Sequence, residues 1–197
     1  MKALLTLLLA SVVACKPTVY LIRHGEKPAN GSNGLSIEGV ERSQCLRNVF
    51  GKASGYNIDY ILAQEYKPSG KEDRPYETVL PLSEDLGLNI DTHCDRDEPE
   101  CVAKAVKEYK GDGNVLICWE HHRLTNITEA LGVKDTEEYP SDRFDIIWTL
   151  SKNYKYIKDK TSEGCPGLDE KYIGEEQDFC EEEQDSYKEE QDFCEEY

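Results

Sequence analysis

Four short apolar runs, Thr18 to Arg23, Tyr60 to Gln64, Val115 to Trp119 and Phe144 to Leu150, constrain the fold more than any other feature of this chain. Each is near-continuous in apolar residues where a strand with one wet face would alternate, so each reads as a strand covered on both sides. Helical patterns fall between them. Ser36 to Phe50 places Val40, Leu46, Val49 and Phe50 roughly on one face, Tyr76 to Leu86 offers Val79, Leu82 and Leu86, and Leu124 to Leu131 offers Leu124, Ile127 and Leu131. Strands alternating with helices join through right-handed crossovers, which gives the α/β class and a three-layer α/β/α sandwich around a mainly parallel central sheet. In such sheets, sites gather beyond the carboxyl ends of the strands. The 197 residues suffice for one such domain, expected over 16–170.

The two ends read differently. Residues 1–14 carry Lys2, an apolar run from Ala3 to Val13, and small residues at Val12 and Ala14, the pattern of a secretory signal peptide. The run falls short of the roughly 18 apolar residues that a membrane span needs, so no stable insertion is expected. A lipid anchor at Cys15 is the alternative, since Val12-Val13-Ala14-Cys15 loosely resembles a lipobox. At the other end, residues 175–197 hold three tandem heptads, EEQDFCE, EEQDSYK and EEQDFCE, which differ only in their last three positions. Their apolar residues are adjacent rather than spaced as a coiled-coil seam requires, so this stretch reads as a disordered acidic tail. Weak cation binding, or intermolecular bridges through Cys180 and Cys194, are the alternatives.

The tail carries −11 of the formal charge of −17 and leaves only −6 for the rest. A field of that sign repels polyanions and excludes nucleic acid as a partner, so any phosphate site must be a local positive pocket. Eight cysteines in an exported chain suit an oxidising, extracellular compartment. Cys94 and Cys101 enclose a charged run that cannot pack a core and form the best disulfide candidate, while Cys118 reads as a small buried hydrophobe. Asn30-Gly31-Ser32 and Asn126-Ile127-Thr128 are glycosylation sequons.

The string Thr18-Val-Tyr-Leu-Ile-Arg-His-Gly-Glu-Lys-Pro28 carries the chemistry. An apolar strand delivers Arg23 and His24 at its carboxyl end, and Gly25 lets backbone amides approach a bound group closely. A neutral imidazole is a competent phosphate acceptor, and an adjacent guanidinium offers planar, multidentate donors to phosphoryl oxygens.

Further elements resemble the histidine phosphatase (phosphoglycerate mutase-like) superfamily in order. Leu35-Ser36-Ile37-Glu38-Gly39 is similar to the element that opens the family's first helix, Arg74-Pro75-Tyr76-Glu77-Thr78 to its second-arginine element, and Val115 to His121 followed by Ala130-Leu131-Gly132 to its second-histidine element. The resemblance spans about residues 18 to 150 and implies that fold. It further implies phosphate monoester hydrolysis, with His24 as nucleophile, Arg23 and Arg74 binding phosphate, and His121 donating to the phosphoryl group. His122 competes with His121 for that position. Of the two carboxylates that could protonate the leaving oxygen, Glu26 is preferred, because Glu120 is expected on the strand face opposite His121. Asn30 admits three readings: a phosphate contact, a sequon, or part of a plain Gly/Asn-rich loop. No metal and no cofactor are implied, and the expected partner is a small phosphorylated substrate acting on a monomer. A mutase, an inactive secreted binding protein of the same fold, and an interaction protein working through its tail are the competing readings. Only 46 residues separate Arg74 from His121, which leaves little chain for a mutase lid and favours a hydrolase.

Overall fold

The computed structural model describes residues 16–169; the expected signal segment and acidic tail lie outside them. The element order is β1 (Val19–Arg23), α1 (Ile37–Val49), β2 (Ile58–Ala63), α2 (Arg74–Leu86), β3 (Ile90–Asp91), α3 (Pro99–Glu108), β4 (Asn114–Trp119), α4 (His121–Leu131), β5 (Ile146–Leu150) and β6 (Ile157–Ser162). The six strands form one sheet in the order β3-β2-β4-β1-β5-β6. β1 to β4 pair in parallel, and β5 and β6 close one side antiparallel.

Two buried clusters explain the near-continuous apolar strands. Leu116 and Cys118 of β4 face a layer with Leu46 and Phe50 of α1 and Val79 and Leu82 of α2. Val115, Ile117 and Trp119 of the same strand face α3 and α4 through Val102, Val106, Leu124 and Ile127. Successive strand side chains alternate sides, so a strand buried on both faces has no polar positions to show. Among the described residues no helix is long and apolar enough to cross a membrane.

Local signals set the helix ends. Ser36 caps α1, its hydroxyl accepting from the Gly39 amide at 3.2 Å, and Gly87 in the left-handed region (φ 72°) terminates α2. The face that α1 buries differs from the expected one: Val40 is 51% exposed, whereas Gly39, Arg42, Ser43 and Leu46 are buried. The reason is electrostatic. Arg42 is enclosed by Glu26, Glu163 and Asp169 at 2.7, 2.6 and 2.8 Å, and this ionic contact turns a polar face inward. Similarly, the run from Phe144 becomes a strand only at Ile146, because Phe144 leaves the sheet to pack on Arg23 and Asp145 binds Arg143. β3 and β6 had no sequence signature; one has two residues and the other is a mostly exposed edge, Ile-Lys-Asp-Lys-Thr-Ser.

Two disulfides are present among the described residues. Cys94–Cys101 closes the charged loop as expected, and Cys45–Cys165 ties the segment after β6 to α1 across 120 residues. Cys118 is free and buried. Closing so long a loop restricts the unfolded chain strongly. Replacing Cys45 and Cys165 together by serine is expected to lower the unfolding free energy by about 2–4 kcal/mol, measured by urea titration. The Cys94/Cys101 double replacement, which opens a far shorter loop, should lower it less.

Candidate active site

Parallel pairing of β1 with β4 assembles the site. Arg23 lies opposite Trp119 in register, and the ladder runs one residue further, the His24 amide donating to the Trp119 carbonyl at 3.1 Å. His24 therefore leaves β1 beside Glu120 and His121, where β4 passes into α4. Arg23 and His24 are buried, at 1% and 5% exposure, and His121 is 7% exposed while His122 is exposed. The rings of His121 and His122 are tilted at 36° with centroids 3.9 Å apart, but burial places His121, not His122, in the interior of the site.

The His24 ring is fixed by its Nδ1, 2.7 Å from the Gly25 carbonyl. Since a carbonyl only accepts, Nδ1 carries the proton and Nε2 keeps its lone pair. Burial depresses the His24 pKa to about 3, the charges of Arg23, Arg74 and His121 pushing the same way against the Gly25 carbonyl. Burial likewise lowers His121 to about 4, with Arg23 and Lys27 acting alongside and Glu120 opposing. Both imidazoles are neutral near pH 7. Arg23, Arg74 and His121 each act electrostatically on His24, which puts all three in its neighbourhood.

Each guanidinium has its own scaffold. Arg23 donates from Nη1 to the carbonyls of Ser141 and Arg143 at 2.7 and 2.6 Å and lies 3.7 Å from the Phe144 ring centroid. Its Nε is buried with no hydrogen-bond partner among the described residues. Arg74, on the first turn of α2, donates to the carbonyls of Gly34 and Ser32 at 2.9 and 3.0 Å. The same turn captures the loop through Asp73 and Glu77, which accept from the Gly34 and Leu35 amides. His121 Nδ1 lies 2.8 Å from Glu120 Oε1, yet off the line a hydrogen bond requires, and has no hydrogen-bond partner among the described residues.

The structure revises the two carboxylates. Glu26, expected to face the leaving oxygen, instead accepts from Nε and Nη2 of Arg42 at 3.1 and 2.7 Å. A carboxylate held in a bidentate ion pair with a buried guanidinium has its oxygens committed and is not free to face a leaving group. Glu120 lies beyond the end of β4, at the cap of α4, so strand alternation no longer governs its direction, and its carboxylate sits against His121. Asn30 is exposed and its Oδ1 accepts from the Ser32 amide at 3.0 Å, the local turn of a loop residue. Asn126 is exposed on α4.

A cavity of about 620 Å³ borders the site, lined among others by Lys27, Glu38, Asp142 and Phe144. A smaller one of about 330 Å³ lies at the opposite end of β1, around Thr18 and Tyr56, away from the histidines. Three groups of described residues have ligand atoms close enough to hold a metal ion. Two of them draw on cysteines committed to disulfides. The third is Glu120, His121 and His122, where Arg23 and Lys27, the cations that help depress His121, also oppose an incoming cation.

The sequence matches no family model and no curated protein. Its architecture is the phosphoglycerate mutase-like α/β fold. An Agrobacterium tumefaciens protein assigned as the phosphohistidine phosphatase SixA superimposes with a TM-score of 0.53 at 16% identity, over 75% of this chain and 98% of that one. A mycobacterial glucosyl-3-phosphoglycerate phosphatase with inorganic phosphate gives 0.46 at 15%, over 68% and 89%. The protein histidine phosphatase SixA complexed with tungstate gives 0.46 at 17%, over 74% and 97%. The first of these carries the fold assignment.

Thr78, Glu77 and Arg42 were not singled out as site residues. Glu77 and Thr78 stood in the Arg74 motif without a role, and Arg42 showed no signal beyond a place on an amphipathic helix.

The pKa shifts set a pH dependence. His24 releases its proton on folding, so its contribution to stability is complete above the unfolded value near 6.5 and is lost as pH falls towards about 3. Glu163, fully buried and pushed up to about 8 by desolvation, acts oppositely, its contribution complete below about 4.5 and lost as pH rises to about 8. His24→Gln is expected to flatten the acid limb of unfolding free energy against pH, by up to about 1.4 kcal/mol per pH unit, and Glu163→Gln to flatten the neutral-to-alkaline limb. Urea titrations at a series of pH values check both.

Proposed function

We propose that this chain is a phosphatase hydrolysing phosphate monoesters through a phosphohistidine on His24. The carrying observation is a buried, neutral His24 with Nδ1 fixed on a carbonyl, among Arg23, Arg74 and His121, two of which hold buried polar atoms without partners. Such atoms cost about 1–3 kcal/mol each when left unmade, and a tetrahedral oxyanion supplies the missing partners. His24 Nε2 attacks phosphorus, the bond to the leaving oxygen breaks, and Glu120 gives that oxygen its proton. The two arginines and His121 stabilise the equatorial oxygens. Water, deprotonated by the same carboxylate, then cleaves the phosphorus–nitrogen bond and frees inorganic phosphate. The neutralising charge comes from the protein's own cations, so the reading needs no metal or cofactor, and the cavity past Lys27 and Phe144 accommodates the leaving group.

The same reading makes the protein a secreted monomer. The apolar amino-terminal segment and two disulfides support export, and exposed Asn126 is the better glycan acceptor because Asn30 stands on the loop that Arg74 binds.

His24→Ala is expected to abolish turnover of p-nitrophenyl phosphate and the acid-labile, base-stable label left by a radioactive phosphoester, while the circular dichroism spectrum is retained. Glu120→Gln should lower kcat by about 10²- to 10⁴-fold, most strongly with poor leaving groups. Turnover equal to the parent in His24→Ala would refute the nucleophile.

A further inference from the structure

We infer that the hydroxyl of Thr78 is a positioning device that sets the direction and tautomer of the nucleophilic ring, an inference that rests on the phosphatase reading of the same site. Thr78 is wholly buried on α2, one turn after Arg74. Its hydroxyl donates to the Arg74 carbonyl at 2.7 Å, and its Oγ1 accepts from the Gly25 amide at 2.8 Å. With the proton turned back along the helix, the oxygen presents lone pairs to Gly25.

Gly25 is the residue whose carbonyl fixes His24 Nδ1. It is gripped from both sides. On the α1 side the backbone approaches so closely that a Cβ on Gly25 would meet the Gly39 oxygen at 3.0 Å, while the Ser36 amide holds the Glu26 carbonyl at 2.9 Å. On the α2 side, among the described residues, the Gly25 amide donates to Thr78 Oγ1, with the buried Cys118 of β4 beside that hydroxyl. The hydroxyl therefore joins the turn that orients the nucleophile to the helical turn that carries the second guanidinium. If the Gly25 amide is released, the turn can rotate, the carbonyl leaves Nδ1, and the imidazole can place its proton on Nε2, the atom that has to attack. An error of about 1 Å in such an arrangement costs on the order of 10²-fold in rate.

Valine is nearly isosteric with threonine. In Thr78→Val the Arg74 carbonyl keeps its helical amide partner, so the Gly25 amide is the group left without an acceptor. Thr78→Val is expected to lower kcat by about 30- to 100-fold with KM within about threefold, the signature of lost transition-state geometry rather than lost binding. Thr78→Ser, which keeps the hydroxyl, should come within about fivefold of the parent. ¹⁵N spectra of the His24 imidazole supply a readout that stability alone does not move: the Nδ1–H tautomer in the parent and in Thr78→Ser, and a mixture with Nε2–H in Thr78→Val. Parent-like kcat and tautomer in Thr78→Val would overturn the inference. So would an Nε2–H tautomer in the parent, or a serine variant more than tenfold impaired, and these two decide the matter if the valine variant does not fold. The tautomer is read without turnover, so a parent inactive on every phosphoester would refute the phosphatase reading while the positioning of His24 remained measurable.

Discussion

A guanidinium removed from water has to find acceptors, and two of them, Arg23 and Arg42, dictate how the loops around the site are laid down. Both are almost completely buried within the first half of the domain. Arg23 draws the carbonyls of Ser141 and Arg143 over itself and takes Phe144 out of the sheet. Arg42 draws Glu26, Glu163 and Asp169 together from three separate parts of the chain. Unpaired, either charge would be strongly destabilising in the interior. The segments that answer them are therefore fixed by solvation as much as by apolar packing.

The three carboxylates around Arg42 exceed the charge they neutralise. Desolvation raises Glu163 to about 8, which leaves it protonated near neutral pH and brings the cluster closer to balance. The Cys45–Cys165 bridge lies one helical turn from Arg42 on α1 and fastens the same segment covalently. Gly167 and Leu168 of that segment then form part of the wall of the cavity beside the site. Stability and the shape of that cavity share one set of contacts.

Sheet pairing does the complementary work at His24. β1 stands in the middle of the sheet, hydrogen-bonded to β4 and β5, so its carboxyl end is among the least adjustable places in the molecule. The ladder bond from His24 to Trp119 places the second histidine by register, and α1 and α2 clamp the glycine turn from either side. Rigid backbone around a ring that stays neutral suits the role proposed for His24, which requires one lone pair held in a fixed direction.

The strand runs, the three helical patterns and the short-range Cys94–Cys101 bridge were legible because each depends on residues near in sequence, where periodicity and chain connectivity speak directly. The places of Arg23, His24, Arg74 and His121 in the fold were legible for a related reason: strand ends and a helix start can be located from local pattern. The polar inward face of α1, the Arg42 cluster, the capture of Glu26, the position of Glu120 and the Cys45–Cys165 bridge were not. Each is decided by partners as many as 127 positions apart, and a charge becomes an interior residue only when the folded chain supplies its counter-charge. By itself the sequence determined on which strand ends and helix start Arg23, His24, Arg74 and His121 stand; the tertiary structure alone decided which of the neighbouring carboxylates is committed to an ion pair and which is not, because long-range ion pairing and burial choose between side chains that local pattern cannot tell apart.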